Sequence, residues 1–75
     1  MDTYEIVAKT NELCLDAYYA AEHPEQFTRT MLKTLLLELV DLEEESWEKS
    51  LDRHILDVVD DCLARSKILL KKIIH

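Results

Sequence analysis

Seventy-five residues with 48% hydrophobic and 33% charged side chains describe one small globular unit, since a disordered chain of this length would carry fewer apolar groups. The net charge of −7, from 16 acidic against 9 basic residues, disfavours a nucleic-acid-binding surface, which needs an excess of lysine and arginine. There is no glycine and only one proline, Pro24, so the tight turns of a sheet have no residues to make them, and the fold class expected is all-α.

The apolar runs are only a few residues long, far short of the ~20 needed to cross a bilayer. The N-terminal stretch has neither the basic start nor the apolar segment of a secretory signal. Cys14 and Cys62 are expected as free thiols acting as small buried hydrophobes, and the expected compartment is the cytoplasm.

The first helix is expected at about residues 3–22. Asp2 followed by Glu5 has the spacing of a capping box. Tyr4, Val7, Cys14, Tyr18 and Ala21 recur at three and four and form its apolar stripe, with Asn11 at the edge and Lys9, Glu12 and Asp16 opposite. From residue 13 to residue 21 only Asp16 is not apolar, so this half of the helix is expected to be covered on more than one side.

His23-Pro24 interrupts the chain. Proline is tolerated in the first turn of a helix, so a second helix is expected from Pro24 to about residue 45, with His23 near its N-cap. Leu32, Leu35, Leu36, Leu39, Val40 and Leu42 give it a broad apolar face that Leu37 widens, more than one neighbouring helix covers. The third helix is expected at about residues 47–74, after a bend that places Ser46 as N-cap, although no glycine or proline forces the break. Its main stripe reads Leu51, Ile55, Val58, Cys62 and Leu69, with Leu56, Val59, Leu63, Leu70 and Ile73 beside it. Charge is unevenly spread: residues 38–61 sum to −8, whereas residues 62–75 sum to +4, which suits the dipole of a final helix.

One constellation could carry chemistry. Glu38 with Asp41, and Asp57 with Asp60, are each three apart, so each pair places two carboxylates on one helical face. If the helices that bear them turn back on one another, four hard oxygen donors could meet and hold Mg²⁺ or Mn²⁺. This acidic spacing resembles the signature of the MazG-like nucleotide pyrophosphohydrolases. That resemblance implies an all-helical, magnesium-dependent enzyme that hydrolyses nucleoside triphosphates to monophosphates, with Glu38, Asp41, Asp57 and Asp60 as metal ligands. The competing reading is a solvated face, since Thr34, Glu38, Asp41 and Glu45 trace the polar back of the second helix and Asp57, Asp60 and Asp61 that of the third. No Ser–His–Asp or Cys–His arrangement can be argued from the sequence.

The leading expectation is therefore a three-helix up-down-up bundle, packing as a homodimer or larger helical assembly. Its function is expected to be a protein–protein interaction module without catalysis and without a cofactor. The metal-dependent enzyme is the alternative. Spare apolar area is expected within residues 13–21, 35–40 and 68–74, with Tyr19, Leu37, Val40, Trp47, Leu70 and Ile74 as interface residues. The acidic surface suits a basic protein partner.

Overall fold

Asp2 starts the first helix: its carboxylate accepts the Glu5 N–H at 2.8 Å, one half of the expected capping box. In the computed structural model, which describes residues 2–74, helix α1 spans Thr3–Glu22. Pro24 does not open the second helix. It opens a single 3₁₀ turn, Pro24–Gln26, closed by hydrogen bonds from Gln26 N to the His23 carbonyl and from Phe27 N to the Pro24 carbonyl. Helix α2 then runs Arg29–Glu48, beginning five residues later than proline placement suggests. The reason is the stronger cap: the Thr28 hydroxyl accepts the Met31 N–H at 3.1 Å, and the Met31 sulfur accepts the Thr28 N–H at 3.5 Å.

The second break falls later as well. Lys49 caps α2 through its N–H to the Glu45 carbonyl, and Ser50 adopts a left-handed φ of 54°, the conformation that usually calls for glycine. Asp52 then starts α3, Arg53–Ile74, its carboxylate accepting the His54 N–H at 3.0 Å and its carbonyl the Leu56 N–H at 2.8 Å. Trp47 consequently belongs to the last turn of α2, not to the third helix. Ser46 is no N-cap; it is buried in the last turn of α2.

The three helices pack against one another in every pairing, and the molecule measures 37 × 18 × 17 Å, about one helix long and two helices wide. No strand occurs among the described residues. The buried residues follow one rule. In α1 they are Ile6, Thr10, Leu13, Cys14, Ala17 and Ala20, in α2 Leu32, Leu35, Leu39, Leu42 and Ser46, and in α3 Val59, Leu63, Ser66 and Leu70. Apart from Cys14, which sits beside Leu13 at the flank of the α1 seam, every step is three or four residues, in alternation. This is the seam spacing that keeps one face of a helix toward its neighbours along its whole length.

Each seam contains one buried hydroxyl, and each is satisfied by its own helix. Thr10 Oγ1 donates to the Ile6 carbonyl at 2.7 Å, Ser46 Oγ to the Glu43 carbonyl at 2.7 Å, and Ser66 Oγ to the Cys62 carbonyl at 2.8 Å. A buried hydroxyl without a partner would be costly; paired in this way it behaves as a small packing residue.

The left-handed Ser50 gives a direct test. A residue with a side chain in this conformation costs about 1–2 kcal/mol, partly offset for glycine by the backbone freedom it loses on folding. Ser50→Gly is expected to raise the stability by up to about 1 kcal/mol, a rise of about 4–8 °C in Tm by thermal denaturation. Ser50→Val, which is branched beside the backbone, should lower it.

Candidate functional site

Helices that meet in a bundle leave a groove along each pair, and here the three grooves differ in chemistry. The α2/α3 groove is laced shut. Lys67 Nζ reaches both Glu43 carboxylate oxygens, at 2.8 and 2.9 Å, with side chains only 20% and 25% exposed. One turn further along α2, Trp47 Nε1 points at Asp60 Oδ1 at 3.4 Å, a long and weak contact. Toward the other end Arg29 and Lys71 flank Leu36 and Ile74 in a shallow basic notch.

The α1/α2 groove is acidic. Asp16 and Glu38 sit beside Phe27 and Met31, and farther along Glu38, Asp41 and Glu45 face Lys9 across Leu13 and Leu42. The acid continues to the end of α2, where Asp41, Glu44, Glu45 and Glu48 border a depression with Lys49.

The α1/α3 groove carries no formal charge. Tyr4, Val7, Asn11 and Cys14 from α1 and Val58, Val59 and Cys62 from α3 line a depression of about 470 Å³. Tyr4 is 81% exposed and Val58 65%, while Val7 and Tyr18 are also open to solvent. Most of these belong to a second stripe on each helix, Tyr4–Val7–Asn11–Cys14–Tyr18 on α1, in steps of three and four, and Ile55–Val58–Cys62–Leu69 on α3, whose last step is a double one of seven. Periodicity marks them as the main buried faces. The fold buries the neighbouring stripe more completely in both cases and sets these two side by side, Cys14 at the floor and Tyr4, Val7 and Val58 open to solvent.

The four carboxylates singled out by their spacing are divided between grooves. Glu38 and Asp41 are exposed on the α1 side of α2, Asp57 is exposed on α3, and Asp60 faces Trp47. Among the described residues no group of three or more His, Cys, Asp or Glu side chains is placed to hold a metal ion. The turn between α2 and α3 does bring the helices together, but it presents α2's seam and its Glu43 flank to α3, so the Glu38–Asp41 face is turned toward α1.

The six expected interface residues also separate. Leu37 and Trp47 are exposed, and Val40 and Ile74 are half-buried. Leu70 is wholly buried, because it continues the α3 seam from Val59, Leu63 and Ser66. Tyr19 is half exposed and is engaged within its own chain. Its hydroxyl donates to Gln26 Oε1 at 2.6 Å, and its ring lies 4.7 Å from His23 and 6.0 Å, edge-on, from Phe27. It clasps the connection between α1 and α2. Periodicity alone does not reveal Val7 and Val58 as surface residues; the signal available was the presence of two apolar stripes on each helix, one more than a three-helix core can bury.

Beneath the groove, burial pushes the pKa of the Cys14 thiol up from its ordinary value of 9.0; a hydrogen bond with Ser66 opposes the rise and the neighbouring Cys62 thiol adds to it. No helix among the described residues is long and apolar enough to cross a membrane. Comparison of the chain with family models, curated proteins and solved structures returned no match.

Two outcomes follow from these groups. The Glu43–Lys67 pair is mostly withdrawn from water, so removing one partner strands the other: Glu43→Ala should lower stability by about 1–3 kcal/mol in urea titration, more than Glu44→Ala on the open surface. For Cys14 the folded state holds its proton more tightly than the unfolded chain does. Its contribution is therefore intact below pH 9 and is lost as pH rises above that. Stability measured from pH 8 upward should fall more steeply in the natural chain than in Cys14→Ala, whatever the absolute cost of that substitution.

Proposed function

We propose that this chain is a helical protein-interaction module that receives the apolar face of a partner helix in its α1/α3 groove. The observation that carries the reading is the placing of two partly open, largely apolar stripes, one from α1 and one from α3, side by side in a groove without formal charge. A helix laid there would complete a fourth position around the bundle, with its anchors meeting Tyr4, Val7 and Val58. Exposed apolar residues scattered singly are ordinary, but a continuous lined groove is the form that helix-binding surfaces take.

We read the fold as an up-down-up bundle, because Glu43 pairs with Lys67 and Trp47 with Asp60, so numbers rise along α2 as they fall along α3. With α1 also antiparallel to α2, the α1 and α3 stripes run in parallel. The partner is either a second copy of the chain, giving a homo-oligomer, or a different protein. A basic partner suits the acidic α1/α2 groove and the acidic end of α2, which would speed its approach in low salt. The cytoplasm suits two free thiols.

Single charges placed on the groove test the reading without disturbing the core. Val7→Glu and Val58→Glu each replace an exposed side chain, so the fold should persist by circular dichroism while partner affinity falls tenfold or more. Leu37→Glu, on the outer face of α2, is the matched control and should bind normally. Sedimentation equilibrium reads self-association, and quantitative affinity capture with the same three variants reads a different partner. Binding that survives both valine substitutions but is lost in Leu37→Glu would move the docking face to α2 and sink the proposal.

A further inference from the structure

The two cysteines lie 48 positions apart in the chain, yet both line the α1/α3 groove, one from each helix. Both are free thiols, Cys14 buried and Cys62 half-buried at the rim. Cys62 and Ser66 are near enough to Cys14 to act on its thiol, Cys62 raising its pKa and Ser66 lowering it. The surrounding residues, Val58, Val59 and Val7, carry no charge, and no other ionisable side chain but Tyr4 lines the depression with the pair. The two helices pack against one another along this groove, and a disulfide needs two cysteines brought close across just such a contact.

We propose that Cys14 and Cys62 are a redox-active pair that forms an intramolecular disulfide tying α1 to α3. The oxidant is a small-molecule disulfide of the glutathione type. Cys62, the accessible member, loses its proton and attacks one sulfur of the reagent. The reagent's S–S bond breaks, a mixed disulfide forms on Cys62, and one reduced small thiol departs with the proton. Cys14 then gives up its own proton and attacks Cys62 Sγ. The mixed disulfide breaks and the second small thiol leaves. Two protein thiols are oxidised to one disulfide, and the reagent is reduced to two thiols by the same two electrons and two protons. The buried position of Cys14 makes the second step the slower one, because its thiolate is disfavoured there and only Ser66 helps to hold it.

The link would close a long loop that contains the whole of α2, so it constrains the unfolded chain strongly. The test is native incubation with oxidised glutathione, followed by alkylation, intact mass and peptide mapping. The expected result is a monomeric chain that has lost two hydrogens, with a Cys14–Cys62 linked peptide, no alkylated cysteine, and a Tm higher by roughly 10 °C or more. Dithiothreitol should reverse all of it. Cys14→Ser should stop at a glutathione adduct on Cys62, and Cys62→Ser, a change at a partly open site, should leave Cys14 reduced. A stable glutathione adduct on Cys62 of the natural chain, a disulfide-linked dimer, or two thiols still free after prolonged oxidation would each overturn the proposal.

Discussion

A helix can keep one face toward its neighbours for five or six turns only if its inward residues alternate three and four apart, and that spacing governs this molecule. Seventy-five residues cannot supply three thick apolar faces and a wide core at once. The seams are accordingly narrow, and several of their places are taken by Ala17, Ala20, Thr10, Ser46 and Ser66. Small residues bring the helices close, while leucines at Leu13, Leu39, Leu63 and Leu70 fill the space between them. The hydroxyls fit because each turns back to its own backbone, which leaves packing, not polar pairing, to hold the interior together.

The same narrowness determines the surface. Residues just beside each seam cannot enter the core and must find other company in the grooves. Between α2 and α3 they are charged or aromatic and reach one another, as Glu43 does Lys67. Between α1 and α2 they are largely acidic, with Glu38 and Asp41 exposed. Between α1 and α3 they are uncharged and largely apolar, and they line an open groove. One architectural rule thus yields a sealed flank, a charged flank and an open apolar flank, and the interaction reading rests on that inequality.

The all-helical character was legible in the sequence, because a chain without glycine has no ready means of making tight sheet turns. The start of α1 at Asp2 was legible for the same kind of local reason. The other boundaries were not. Thr28 outcompetes Pro24 as a starting signal, and Ser50 takes a left-handed turn that nothing in its side chain announces. The choice between stripes was also hidden. Residues 13–21 are so uniformly apolar that Ile6–Leu13–Ala17–Ala20 and Tyr4–Val7–Cys14–Tyr18 fit equally good seams, and only the positions of α2 and α3 select the first. Glu38 and Asp41 were correctly placed on one face of their helix. Which neighbour that face meets is a matter of rotation about the helix axis, and periodicity does not report it.

The segregation of charge along α2 and α3 has a further consequence. Arg29 and Lys71 stand at one end of α2, and Glu44 and Glu48 at the other, so the molecule has an electrical head and tail separated by nearly its full length. A charged body approaching through solution experiences a torque as well as an attraction. The bundle is turned end-for-end into alignment before any surfaces touch. Under the proposed reading, in which a partner helix enters the apolar groove parallel to that axis, the long-range field sets the direction in which the helix is offered, and short-range packing then has only position left to decide.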